Sequence, residues 1–273
     1  MSAFEFDEVG YWSELKLEIV EKYGAAYIKA FSKAKSLRKF YIDAFSGAGV
    51  HIAKGSGEQV EGSPVRALKI RPPFDGYYFI DLNKDKTAFL QSLCGDRPDV
   101  FIRTGDANVL LVEEILPDIQ FERFTRALCL LDPYGLHLDW DVIQQAGRSR
   151  AVDMFLNFPV MDINRNAIWR RPENAPKSGI ERLNRFWGDD SWKQAAYRPS
   201  SQRGLFGDEV EKQGNEAIVA AFAEKLKTVA GFKHVPDPLP MRNSTNAVVY
   251  YLFLASQKPV AGKIITDIFG KYR

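Results

Sequence analysis

The chain has 273 residues, 45% of them hydrophobic and 26% charged, which is ample material for a buried core and excludes a disordered or fibrous chain. A formal net charge of +2 confines any nucleic-acid surface to a local patch. Two cysteines, Cys94 and Cys129, exclude a disulfide framework or a cysteine-built zinc centre, so no metal is expected.

No apolar run reaches the roughly eighteen residues that a membrane span requires. The acidic start (Glu5, Asp7, Glu8) is unlike a signal peptide, and the expectation is a soluble, cytoplasmic protein with no membrane partner.

From Tyr11 to about Ser32 the spacing of Trp12, Leu15, Ile19, Tyr23 and Tyr27 predicts a helix with one apolar stripe. It either covers an edge of the sheet or brings Trp12 and Lys16 to the ligand cleft. The stretch Lys39-Phe-Tyr-Ile-Asp-Ala-Phe-Ser-Gly-Ala-Gly49 is a strand running into a glycine turn. Glycine has no Cβ, so such a turn can bring backbone N–H groups against a ligand. The Gly-rich run from His51 to Gly57 predicts a long loop, with His51 either a plain loop residue or a ligand-facing one. Ser63 before Pro64 predicts a helix cap and a helix to about Ile70.

A second strand, Gly76 to Asp81, ends in a carboxylate, and a helix follows from about Lys84 to Leu93. A glycine turn after the first strand and an acid after the second is how a parallel α/β sheet holds an adenosine and its ribose hydroxyls. The third strand, Val100 to Arg103, ends in Gly105-Asp-Ala-Asn108. Asp106 there either caps the helix predicted from Ala107 to about Leu116 or accepts from an adenine amino group.

The fourth strand, Arg126 to Asp132, and the fifth, Val152 to Phe158, are continuously apolar and predicted to be buried on both faces. The fourth ends in Asp132-Pro-Tyr-Gly135. From Asp162 to Arg203, nine basic residues (Arg165, Arg170, Arg171, Lys177, Arg182, Arg185, Lys193, Arg198, Arg203) stand against five acidic ones, with Trp169, Trp187, Trp192 and Tyr197 among them. This is either a surface for phosphates and bases or a helical subdomain anchored by its tryptophans. Arg165, Arg170, Arg171, Lys177 and Arg185 are the candidate nucleic-acid contacts. A helix from about Glu209 to Val229, strands at Phe232–Val235 and Ala247–Ala255, a loop at Met241–Asn246 and a helix from Val260 to Phe269 complete the chain.

These motifs, in this order, resemble a class I S-adenosylmethionine-dependent methyltransferase, and more closely the three-Cys-motif partner protein (TcmP) family. The matching segments are Trp12 to Leu17, Tyr41 to Gly49, Gly62 to Pro64, Gly105 to Asn108, Asp132 to Gly135 and Tyr250 to Ser256. The resemblance implies a Rossmann-like methyltransferase fold. That is an α/β protein with a mostly parallel seven-stranded sheet, an antiparallel last strand and a helical insertion after strand five. Residues 1–273 would form one methyltransferase-like domain, with 160–208 a basic, aromatic insertion. It also implies S-adenosylmethionine as cofactor, held by Asp43, Phe45, Gly47, Gly49, Asp81, Asp106 and Ala107. The implied partner is a radical-SAM-like protein with a three-cysteine motif.

Asp-Pro-Pro-Tyr-like tetrapeptides resemble those of enzymes that methylate exocyclic amines of bases. By that likeness Asp132 and the Pro133 carbonyl would accept from the amine while Tyr134 stacks on the base. Asp-Pro-Tyr-Gly is closer to the tetrapeptides of tRNA guanine N2-methyltransferases, which favours RNA over DNA. The alternatives are a non-catalytic accessory module of the same fold and a nicotinamide-dependent oxidoreductase. The latter is disfavoured because Ile52 stands where a third glycine is expected.

Overall fold

The computed structural model describes residues 5–199 and 210–273. Its centre is a sheet of seven strands: β1 (Arg38–Asp43), β2 (Gly76–Asp81), β3 (Val100–Thr104), β4 (Thr125–Leu131), β5 (Val152–Phe158), β6 (Leu239–Arg242) and β7 (Val248–Ala255). The order across the sheet is β6-β7-β5-β4-β1-β2-β3. The first five strands are mutually parallel, and β7 runs antiparallel to both β5 and β6. This is the mostly parallel, seven-stranded sheet with a reversed last strand expected of a Rossmann-like methyltransferase fold.

Alternation along the strands divides the core into two layers. Phe40 and Ile42 of β1 and Ala127, Cys129 and Leu131 of β4 join one cluster. Tyr41, Leu128 and Leu130 join the other, as a two-residue side-chain period requires. The first layer is closed by α5 (Trp140–Arg148), α6 (Val160–Asn166), α7 (Lys177–Trp187), α8 (Trp192–Ala196) and α9 (Asn215–Thr228). The second is closed by α1 (Tyr11–Ala30), α2 (Ser63–Lys69), α3 (Lys84–Cys94) and α10 (Pro259–Phe269). A short α4 (Ala107–Leu110) leads into a π turn and a 3₁₀ turn, where the sequence predicts one regular helix to about Leu116.

Several expectations need correction. The glycine-rich loop contains a hairpin, Val50–Ala53 with Gln59–Glu61, and Glu8–Val9 adds to it in parallel. Gly62, not Ser63, holds the cap position of α2. Its N–H donates to the Gly49 carbonyl at 2.8 Å, and a Cβ there would stand 3.0 Å from that same carbonyl, so the close approach requires glycine. Met241 and Arg242 lie in β6, whereas Phe232–Val235 contributes only a bridge at His234. Pro240 obscures β6 in the sequence, yet proline is tolerated on an edge strand because its missing N–H is not needed there. Helix α9 begins at Asn215 because Val210–Lys212 pairs with Tyr197–Pro199. Glu209 and Arg203 lie outside the described residues.

Candidate functional site

The carboxyl ends of β1, β2, β4 and β5 converge on one edge of the sheet, and the sequence-predicted turns meet there. After β1 the chain is pinned to β2. The Ser46 N–H donates to the Ile80 carbonyl at 2.8 Å, and the Gly47 N–H donates to Asp81 Oδ2 at 2.9 Å. Gly47 and Gly49 both sit at positive φ, +61° and +78°, where L side chains are strained. Asp81 also accepts from the Asn83 N–H at 2.8 Å. Its first task is therefore to hold the glycine turn, with carboxylate lone pairs to spare.

Asp43 lies beneath this turn with 0% exposure. One oxygen accepts from the Phe45 N–H at 3.3 Å, and the other, Oδ2, has no partner. Burial pushes its pKa up to about 7; the nearby Ser63 hydroxyl and the Phe45 N–H pull it back, Asp132 pushes it further up and Lys16 lowers it. Phe45 is half-buried against the first core layer. Asp106 caps α4: its Oδ1 accepts from the Asn108 N–H at 2.8 Å and from the Asn108 side chain at 3.0 Å. Ala107 is buried behind it.

Asp132 is held from two sides at this edge. Its Oδ2 is ion-paired with Lys16 Nζ, and its Oδ1 accepts from the Asn157 side-chain amide at 2.7 Å. It does not open the next helix, because α5 starts at Trp140 with Asp139 in the cap position. Pro133 is buried, whereas Tyr134 is 85% exposed at the rim.

Three further residues complete this edge: Lys16 and His51, whose roles the sequence leaves open, and Asn157, which it does not single out. Lys16 reaches it from α1 as a buried cation, which settles the role of that helix: it covers the sheet and also delivers a charge to the cleft. Asn157, at the end of β5, orients Asp132 and leaves its own Oδ1 buried without a partner. His51, in the hairpin, has an unpartnered buried Nδ1; burial lowers its pKa, and the charges of Asp7, Lys16, Asp132 and Lys86 act on its ring. The sequence already offers Lys16, with Trp12, to the cleft; for Asn157 the signal is a polar residue next to the end of a strand whose other polar member is Asp153.

The basic insertion divides into two parts. Trp187 and Trp192 are buried in the first core layer, with indole N–H groups donating to Ser191 and Asn184. Arg185 pairs with Asp139 at 3.0 Å. Arg165, Arg170, Arg171 and Lys177 are exposed, and among the described residues none of the four is ion-paired.

No protein-family model matches the chain, and no curated protein sequence does either. A solved structure of a Legionella pneumophila str. Philadelphia 1 protein from DUF519 is similar at 12% identity and TM-score 0.51, covering 94% of this chain and 92% of that one, which shows a shared fold. The methyltransferase domain of a bacterial Hen1 protein is similar at 11% identity and TM-score 0.39 over 87% of this chain and 99% of that one. TYW2 of M. jannaschii in complex with AdoMet gives 8% identity and TM-score 0.34 over 90% and 74%. The last two superpose too loosely to bear on chemistry.

Proposed function

We propose that the chain is an S-adenosylmethionine-dependent methyltransferase that modifies an exocyclic amine of a nucleic-acid base, in RNA rather than DNA. Asp132 carries this reading. A carboxylate oriented from two sides by Lys16 and Asn157, at the ligand-binding edge of an α/β sheet and free of any capping duty, is placed to receive a ligand's hydrogen bonds.

The residues of the glycine turn fit the cofactor. The unpartnered Oδ2 of buried Asp43 and the positive-φ glycines mark a cradle with unused polar capacity. S-adenosylmethionine, when bound, supplies an electrophilic methyl group on a sulfonium. Gly47 and Gly49 would let the backbone approach the cofactor, Asp81 would receive its ribose hydroxyls, and Asp106 and Ala107 would border the adenine.

On the substrate side, Asp132 and the Pro133 carbonyl accept hydrogen bonds from the amine, favouring a pyramidal nitrogen whose lone pair is withdrawn from the ring. Tyr134 covers the base. Arg165, Arg170, Arg171 and Lys177 bind phosphates. The likeness of Asp132-Pro-Tyr-Gly135 to tRNA guanine N2-methyltransferases supports RNA. The TcmP-like motifs support a radical-SAM-like partner with a three-cysteine motif.

Calorimetric titration with S-adenosylmethionine and S-adenosylhomocysteine, beside NAD, tests the cofactor. Binding of the first two alone is expected, and binding of none overturns the catalytic reading in favour of an accessory module. Asp132→Asn should then abolish methyl transfer to RNA while leaving S-adenosylhomocysteine binding intact. Unchanged turnover in that variant refutes the assigned role.

A further inference from the structure

The Asp132-Pro-Tyr-Gly135 turn is in direct contact with α6. Gly135 sits at φ +57°, and a Cβ there would stand 2.8 Å from Asp162 Oδ2. From Asp162 the helix continues to Arg165, whose carbonyl accepts from the indole N–H of Trp169 at 2.9 Å. The Trp169 indole is thus fastened to the same short helix that touches the turn carrying Tyr134.

Trp169 is held unusually firmly for a tryptophan that is 37% exposed. Its own carbonyl accepts from the Tyr197 hydroxyl at 2.9 Å, and the preceding carbonyl, of Ile168, accepts from Lys212 Nζ. Because the indole N–H is already engaged by Arg165, the surface it offers to solvent is aromatic ring. Arg170 and Arg171 follow it directly, exposed and without ion pairs among the described residues, with Glu173 the nearest acid in sequence. By contrast, three other cations of the insertion are paired: Arg185 with Asp139, Lys193 with Asp190 and Arg198 with Glu211. A rigid ring flanked by free guanidinium groups provides stacking and phosphate contact together.

We infer that Trp169 is a second stacking platform, taking a base that neighbours the one covered by Tyr134, and that the substrate is therefore an unpaired strand. This rests on the reading that the site acts on a nucleic-acid base. In a duplex, successive bases are stacked on each other about 3.4 Å apart and present no free faces to two separated rings. In a loop or single strand, bases splay and stack on protein aromatics.

The test is fluorescence anisotropy of the full chain with a labelled, unstructured RNA oligonucleotide, the same sequence as DNA, and a perfectly paired RNA duplex. The single strand should bind more tightly than the duplex. Trp169→Ala should weaken single-strand binding by about 5- to 150-fold, with Trp169→Phe restoring most of it and duplex binding unchanged. Replacing Arg170 and Arg171 with Gln should instead reduce the salt slope by about 1.4, at about 0.7 per phosphate of a single strand.

Equal affinity for strand and duplex, or wild-type binding by Trp169→Ala, overturns the inference. A wild-type chain that binds S-adenosylhomocysteine but shows either result keeps the methyltransferase reading and loses only this one. A chain that binds the single strand through Trp169 without binding the cofactor does the reverse. Tighter binding of the DNA strand than of the RNA strand would retain the platform and reject RNA as the source.

Discussion

The ion pair between Lys16 and Asp132 joins the first helix to the proposed catalytic turn, and its energetics can be separated by a double-mutant cycle. The side chains are 7% and 28% exposed respectively, so the lysine is buried and the carboxylate is partly wet. A close pair is worth about 1 kcal/mol in water and about 4 kcal/mol at an effective dielectric near 20, so this pair should couple by about 2–3 kcal/mol. The two single variants should differ. Asp132→Asn strands a buried ammonium and should cost about 3 kcal/mol, at the lower end for a broken buried pair because solvent reaches one side. Lys16→Met leaves a carboxylate that keeps the Asn157 amide and some water, and it retains an apolar stem near the Tyr250 ring. It should cost about 2 kcal/mol. The double variant should cost little more than the lysine change alone. At about 2–3 °C per kcal/mol for a chain of this size, Asp132→Asn should melt about 6–9 °C below wild type. Urea unfolding of the four proteins measures the cycle. Additivity within about 0.5 kcal/mol, or a larger loss for Lys16→Met than for Asp132→Asn, would refute the arrangement.

Asp43 predicts a pH signature. Its folded pKa of about 7 lies above the ordinary 3.8, so its stabilising contribution is complete at pH values below 3.8 and is lost as pH rises through 7. Asp43→Asn mimics the protonated form, and its stability relative to wild type should therefore rise between pH 5 and pH 8, by at most about 3 kcal/mol. A gap that stays constant across that range, by denaturant midpoints, would show that Asp43 is not a buried acid. For the glycine turn, Gly49→Ala should destabilise by about 2–4 kcal/mol, combining positive-φ strain with overpacking. Its Cβ would meet buried Leu90 at 2.7 Å, whereas at Gly47 the nearest atom is 3.8 Å away. Thermal melts should thus rank Gly49→Ala well below Gly47→Ala, and equal melting points would contradict the packing.

Much of the sheet was legible because its strands carry their own signal. The bounds of β5 coincide with the predicted Val152–Phe158, a mostly apolar strand buried on both faces whose two polar residues, Asp153 and Asn157, are hydrogen-bonded. The turns after β1, β2 and β4 were legible for a related reason: glycines and acids interrupt the apolar runs where the chain reaches the ligand edge. Strand β6 was not, because an edge strand tolerates proline and needs few apolar residues. The hairpin after Gly49 was hidden by half-exposed residues among glycines.

The tryptophans of the insertion show the other limit. Trp187, Trp192 and Trp169 look alike in a basic stretch, yet two are buried in the core and one faces solvent. Which is which depends on the packing of α7, α8 and α9, and no local pattern encodes it.

Local patterns in the chain specify the parallel α/β architecture, the glycine turn with its acid partner and Asp132 as the residue to watch. Each of these is a local pattern of period, turn chemistry or residue type. Packing brings Lys16, 116 positions before Asp132, and Asn157, 25 after it, to that carboxylate. Contacts of that kind arise when separate elements are packed against one sheet edge, and their partners leave no mark on each other's local sequence.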